Sequence, residues 1–535
     1  MVTQEHESLL SDTERTHGRA ALRNNVTAAL ALADAVRSTL GPKGLDKMLV
    51  GSDSTTVTND GVTVLETAKV EHPTAKMLIS QSSAQDRKAG DGTTTTVILT
   101  AELLQNALEL IDIGVHPAIV ERGYRLASGE SMKYLSTIAK PASKEDWLKS
   151  VMTSLSGKSD EGVREHLSQL AVNAATELTK DVEDGKDADA SLVKKIQVRG
   201  RPSTESELVS GLVLAKERLH SEMKMYPSGG TILILDGGIS RRKPDLEINL
   251  KVTDLGMVSA LNEQELTDIQ NRVDAIAATG CNLLCVRDGI DDDARGMLLN
   301  AGITCYRRIE KPDLELLSRT TGATIVHEPI LARPKDLGEF SSLTSERLGD
   351  VTYMKIIGSL RGGLTLIIKG TGKTRMEEVE RCFDDAIGVA CGIVRDPRIL
   401  PGGGATQMAL SRHLRKFSTT IPGREQLAVE AFAAALESIP RILTENAGMS
   451  PLDELLKLNS AQEQNGPWIG LNLSNGETET MDQAGIIEPF AVSNNAIAGA
   501  MEAAVSVLRI DDVLWANQDP SIPDWEKSDG SEGET

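Results

Sequence analysis

"AGDGTTTTVILTAELLQNALELI", residues 89–111, reads in two ways, and the choice decides the fold of the first part of the chain. As a hairpin, Gly90-Asp91-Gly92 makes the turn and the β-branched run 93–98 a strand, the conformation such residues favour locally. As a helix, Val97, Leu104, Leu108 and Ile111 form an apolar stripe and the glycines open its N-terminus. A helix here requires tertiary packing to override local preference. It also carries chemistry, because a helix N-terminus offers N–H groups and a positive dipole end to an anion. The threonine hydroxyls add donors. Asp91 can reach a metal ion, and Mg²⁺ typically binds one or two carboxylates plus phosphate oxygens. Both readings stay open on the residues alone; the phosphate reading is carried forward.

A second stretch offers a rival. "IIKGTGKTRMEEVE", residues 367–380, ends an apolar run in Gly-Lys-Thr. The strict phosphate-loop spacing places a glycine at 367, where the chain has Ile367. Without it the backbone cannot wrap the phosphates with its N–H groups inward. The expectation is a glycine turn between strand and helix, with Lys373 in solvent. A kinase or GTPase built on this motif fails for the same reason. "STLGPKGLDKML" and "LPGGGATQ" read as two further glycine-rich turns entering helices, each weak alone.

The 535 residues exceed what one core serves, so two to four domains are expected. A net charge of -21 argues against nucleic acid as a partner, and 3% aromatics against a base-stacking platform. The acidic surplus suits a salt-rich cytoplasm or ordinary solubility equally. The polar N-terminus has no apolar signal core, and no run reaches membrane-spanning length. Five cysteines, an odd number, suggest reduced thiols. Cys281 and Cys285 read as strand residues in a core.

Along the chain, the first part to about 142 is mostly helical, with "TTVTNDGVTVLE" as a hairpin turning at Asn59-Asp60-Gly61. Residues 143–212 read as polar and helical. From Thr231, "TILILD", "NLLCV", "GITCYRR" and "ATIV" are short strands, helices separating the last three, which is βαβ grammar over roughly 213–364. A helix over 262–278 has Leu266, Ile269, Val273 and Ile276 on one stripe, with Asn262 and Glu265 as a capping box. It reads either as an ordinary surface helix or as a projecting arm. After Pro401 the helix-rich texture of the first part returns, so the α/β section looks inserted. Residues 517–535 are acidic and poor in apolar residues, and read as a disordered tail.

"TLGPKGLDKML", "TVTNDGVTVLE", "AGDGTTTT", "LPGGGA", "GIIEP" and "LRIDDVL", in this order, resemble the chaperonin family, and within it the group II chaperonins, the archaeal thermosome and its cytosolic relatives. The resemblance runs from about Gly18 to Ala516. It implies a multidomain α+β chaperonin fold. A mostly helical equatorial ATP-binding domain would comprise 1–142 and 399–535. A small α/β intermediate hinge domain would comprise 143–212 and 365–398. An α/β apical substrate-binding domain would comprise 213–364, with a helical lid protrusion at about 245–278. The function it implies is an ATP-dependent chaperone, an ATPase subunit of a double ring with identical or paralogous subunits, enclosing non-native protein clients under a built-in lid. The cofactors implied are ATP and Mg²⁺, with K⁺ as a further candidate, and the location is the cytoplasm.

The site residues carry over by motif. Thr39, Leu40, Gly41 and Pro42 would border the nucleotide, with Asn59 beside them. Asp91 would bind Mg²⁺, and Gly92, Thr93, Thr94 and Thr95 cradle the phosphates. Gly403 would lie against the nucleotide and Glu488 near its base or sugar side. Asp60 and Asp385 would be the catalytic carboxylates that place water, and Lys158 would sense the γ-phosphate. Two positions depart from the family. Asp384 stands where histidine is usual, and a like charge beside Asp385 can raise one pKa. Asn472 replaces an aspartate. These departures keep a second hypothesis open, a non-catalytic ring subunit or holdase. Few aromatics, the acidic surplus and the excess of Arg over Lys look like a halophilic archaeal version.

Overall fold

The structure, a computed structural model, describes residues 13–50, 55–68, 70–183, 185–241, 255–348, 351–360 and 363–516. The expected acidic tail 517–535 therefore lies outside the described residues. The chain forms two compact units, one of Met1–Lys158 with Asp396–Thr535, the other Ser159–Arg395.

In the first unit, residues 89–111 resolve as turn and helix. The helix Thr93–Asp112 buries Val97, Ile98, Leu99, Leu103, Leu104, Ala107 and Ile111, more than one stripe. Arg19–Arg37, Phe490–Leu508 and Glu425–Leu436 pack around it. Helix propensity penalises β-branched residues by less than about 0.7 kcal/mol each. A fully buried Val, Leu or Ile contributes about 1.5–3 kcal/mol, so burial wins. The threonines satisfy themselves along the helix, Thr96 Oγ1 donating to the Gly92 carbonyl at 2.9 Å and Thr100 Oγ1 to Thr96 at 2.7 Å. Buried Tyr124 donates to the Leu103 carbonyl at 2.7 Å and meets Phe432 edge-on at 5.6 Å, linking the early and late parts of the chain in one core. The strand Thr13–His17 pairs antiparallel with Asp512–Ala516.

Two expectations here are corrected. The strand Thr55–Thr58 pairs backward, with Lys47–Val50, so "GLDKML" leads into a strand and not a helix. After Asn59 the chain enters the helix Gly61–Thr67, capped by Asp60, whose carboxylate accepts from the Val62 and Thr63 amides. Asn59-Asp60-Gly61 is thus a helix start, not a hairpin turn. Burial of Val64 and Leu65 sets that choice.

In the second unit, 159–212 is only half helical, another correction. The helix Glu161–Leu178 packs along Lys373–Arg395, and the chain then turns extended. Val193–Arg199, Leu364–Gly370 and Glu207–Ser210 form a three-stranded sheet. A larger sheet runs Thr304–Tyr306, Leu283–Val286, Gly230–Leu235, Gly338–Leu348, Val351–Gly358, Leu212–Leu214. Its first three strands are parallel, and Ile325–Val326 also pairs parallel with Gly230–Leu235. Asp292–Asn300 and Lys311–Thr321 are the crossover helices, so the βαβ reading corresponds to observed pairing. The arm helix spans Leu255–Ala278, which puts Asn262 inside it rather than at its cap. Glu265 pairs instead with Arg241 at 3.3 Å. Ile269, Val273 and Ile276 are buried with Leu233 and Leu284. Positions 245–254 of the expected protrusion lie outside the described residues.

All five cysteines are buried and unpaired by disulfides, as core packing predicts. Burial pushes the Cys281 thiol up to about 11. Among the described residues no helix is long and apolar enough to cross a membrane.

Candidate functional site

The start of the Thr93–Asp112 helix is built to stay open. Gly92, its N-cap, sits at φ +82 and no side chain caps the first turn. A Cβ on Gly92 would come within 3.0 Å of Val492 and 3.1 Å of Gln85 Nε2, in a backbone conformation that side chains avoid. Gln85, buried, donates to the Asp91 carbonyl at 2.9 Å and to the Val492 carbonyl at 3.2 Å, which anchors the loop. Its helix-end amides and the hydroxyls of Thr93, Thr94 and Thr95 border one cavity with Asp91.

Five other segments close that cavity within the first unit. The first is the turn at Thr39, Leu40 and Gly41. Asn446 holds it by donating to the Arg37 and Leu40 carbonyls at 3.1 and 2.8 Å. The second brings Asn59 and Gly61, where a Cβ on Gly61 would fall 2.3 Å from Thr94 Oγ1. The third brings Thr153, Ser154, Ser156 and Lys158, with Lys158 Nζ 3.8 Å from Asp91 Oδ1. The fourth is the start of the Phe490–Leu508 helix, with Glu488 and Ser493, and the fifth, the Ala405–Ser418 helix, brings Gln407. Ser493 Oγ donates to Glu488 Oε1 at 2.5 Å. Burial pushes the Glu488 carboxyl up to about 7; Ser493 opposes the shift and Asp91 adds to it.

Of the residues expected at a site, Thr39, Leu40, Gly41, Asn59, Asp91, Gly92, Thr93, Thr94, Thr95, Lys158 and Glu488 come together around this cavity. Three lie off its wall. Pro42 backs onto Gly157. Asp60 turns its carboxylate to the helix it caps, accepting from Thr63 N at 3.0 Å and Thr63 Oγ1 at 2.7 Å. Gly403, at φ +62, packs on the Leu471 carbonyl and Met481. Sequence reading missed Gly61, Thr153, Ser154, Ser156, Gln407, Val492, Ser493 and Ala496. Gly61 and Gln407 already stood in the quoted "TTVTNDGVTVLE" and "LPGGGATQ", and Thr153, Ser154 and Ser156 lie just before Lys158; Ser493 carries no motif.

Asp385 belongs to the second unit, on the Lys373–Arg395 helix between buried Phe383 and Ala386. Its neighbour Asp384 has a partner: Lys195 Nζ donates to both oxygens at 2.8 and 2.6 Å and lies 3.4 Å from Glu380. Desolvation raises the Asp384 carboxyl, and the ion pair with Lys195 opposes that shift. Asn472 closes the hairpin of Ile469–Asn472 and Glu477–Thr480, accepting from Ser474 N at 2.9 Å. The "GTGKT" reading as a plain turn agrees with the structure. Ile367 is a buried strand residue opposite Ile196, and Lys373 is 72% exposed beside Glu377.

The cavity's donors suit an anion of the phosphate type: amides at a helix start, threonine hydroxyls and one ammonium. Asp91 adds a hard oxygen for a cation. Among the described residues no cluster of three or more His, Cys, Asp or Glu side chains could hold a metal alone, so an ion here would share its shell with the anion. Asn59 Oδ1, buried and without a donor among the described residues, adds an unmet acceptor at the wall.

The TCP-1/cpn60 chaperonin family model matches residues 32–518. The chain is similar to the thermosome subunit of Methanocaldococcus jannaschii, 41% identical over 517 residues and 95% of each chain. It is 38% identical to the thermosome subunit beta of Archaeoglobus fulgidus, over 98% of this chain and 96% of that one. It is likewise 38% identical to the thermosome subunit alpha of Thermoplasma acidophilum, over 95% and 93%. An open helix start over a phosphate-type cavity, joined to similarity along nearly the whole length, leads to one assignment: the chain belongs to the TCP-1/cpn60 chaperonin family, in its group II, thermosome branch.

Proposed function

We propose that the cavity under the Thr93–Asp112 helix is where this subunit binds and hydrolyses ATP. A group II chaperonin is an ATP-dependent double ring that folds non-native proteins, and its subunits are ATPases. The observation that carries the site assignment is the uncapped start of that helix, opening on the cavity shared by Asp91 and Lys158.

Phosphoryl transfer to water needs positioning and charge neutralisation more than a strong base. The first-turn amides, Thr93, Thr94 and Thr95 hold phosphate oxygens, and the Lys158 ammonium adds positive charge. Mg²⁺, when bound, supplies further neutralisation, with Asp91 as its protein carboxylate. Asp60, held by its cap contacts to Val62 and Thr63, is assigned to orienting water on its motif. Glu488 serves the base or sugar side. Asp385 is assigned to the same reaction on its motif. K⁺ as a cofactor, a salt-rich cytoplasm, identical or paralogous ring partners and the lid at about 245–278 belong to this reading too. So does the division into equatorial, intermediate and apical domains. The two departures from the family do not favour a holdase, since Asp384 is engaged by Lys195 and Asn472 by its own hairpin.

Purified protein with ATP and Mg²⁺ is expected to turn over slowly, and Asp60→Ala with Asp385→Ala to abolish turnover. Unchanged hydrolysis in that double variant would remove both carboxylates from the mechanism.

A further inference from the structure

Asn59 is 5% exposed, lines the cavity, and uses its amide in two directions. Nδ2 donates to the Gly157 carbonyl at 2.6 Å. Oδ1 accepts from no group among the described residues. The carbonyl it grips lies in the turn that carries Lys158, where Ser156 N donates to Thr153 O and Lys158 N to Leu155 O, both at 3.1 Å. Gly157 stands at φ +88, and a Cβ there would come within 2.7 Å of the Gly41 carbonyl, so the turn is wedged against the Gly41 segment. Lys158, 3.8 Å from Asp91, is also where the chain leaves this unit. The residue after Asn59 is Asp60, which the Gly61–Thr67 helix fixes by its cap. One short backbone piece is thus tied to a helix start on one side and to the Lys158 turn on the other.

We infer that Asn59 is a positioning residue for ATP hydrolysis, a latch that keeps the Lys158 turn in register with Asp60 and the phosphate cavity; this rests on the ATP-site reading above. Loss of the Nδ2 donor releases the turn, and a displacement of about 1 Å in a positioned group can cost roughly a hundredfold in rate. Oδ1, an acceptor only, suits a water O–H at the reaction site and not an ionised phosphate oxygen.

The test is a double-mutant cycle on ATP turnover by the assembled full-length protein. Asn59→Asp keeps the side-chain shape but faces the Gly157 carbonyl with a carboxylate. It is expected to lower kcat roughly ten- to a hundredfold, with a far smaller change in KM for ATP. Combined with Lys158→Ala, it costs little more than the worse single change, because both act through one turn. Asn59→Ser, which keeps a hydroxyl donor, recovers part of the turnover. Wild-type kcat in Asn59→Asp, or losses that multiply with Lys158→Ala, would overturn the latch. So would failure of both Asn59 variants to assemble, which would make the residue structural. Unchanged turnover in Lys158→Ala alone would instead remove the ATP-site reading beneath it.

Discussion

Glu488 has the side chain in this cavity whose charge the fold opposes most directly. Its carboxyl is pushed from 4.5 to about 7, chiefly by burial, with Asp91 adding to it against the Ser493 hydrogen bond. The sign follows from where the proton is held more tightly. The folded protein binds it more tightly than the unfolded chain, so ionising Glu488 costs stability. The cost is absent below pH 4.5, grows as pH rises, and is complete above about pH 7. At about 1.4 kcal/mol per unit the shift caps the cost near 3 kcal/mol, and the group's contact with the cavity makes about 1–2 kcal/mol the better figure. Glu488→Gln in the nucleotide-free protein should therefore raise the urea midpoint at pH 8 and change it little at pH 5. A gain at pH 5 as large as at pH 8 would mean that the stabilisation comes from packing and not from charge.

The helix Gly61–Thr67 shows how capping and catalysis overlap in one element. Seven residues are too few to hold a helix by propensity, so its cap and the burial of Val64 and Leu65 sustain it. Asp60 supplies that cap and is also the proposed water-placing carboxylate. Asparagine caps about as well as aspartate, whereas alanine costs about 1 kcal/mol. Asp60→Asn should keep the wild-type unfolding midpoint and lose turnover, and Asp60→Ala should lose both. Retained turnover in Asp60→Asn would show that the negative charge is not what the reaction uses. The same element marks a limit of legibility. Asn, Asp and Gly are favoured in hairpin turns and at helix starts alike, so "TNDG" gave no local reason to choose. The decision lay in the buried Val64 and Leu65, a tertiary fact. Asn262 misled similarly, as a cap-type residue inside the Leu255–Ala278 helix. Where apolar spacing ran long, as in Thr93–Asp112, or where short strands alternated with helices, as in 231–326, pattern and fold agreed.

For the molecule as a whole, the cavity draws on segments near 40, 60, 93, 155, 407 and 490, brought together because both ends of the chain share one core. Glycine-rich motifs mark where the backbone turns, as "LPGGGATQ" does before Gln407, but not that the turns converge, and Ser493 announces nothing in the sequence. Net charge is a global property that the sequence does state: 57 basic against 78 acidic residues, or -21. That surplus repels itself across the surface, with a reach of about 10 Å in 0.1 M salt and about 3 Å in 1 M. If the acidic surface is an adaptation to a salt-rich cytoplasm, screening should stabilise the protein beyond what solute exclusion does. Raising KCl from 0.1 to 2 M should then lift the thermal midpoint and maintain ATP turnover. Sucrose, which strengthens apolar burial by exclusion without screening charge, should lift the midpoint less. Equal effects of the two, or turnover that falls as KCl rises, would assign the acidic surface to ordinary solubility.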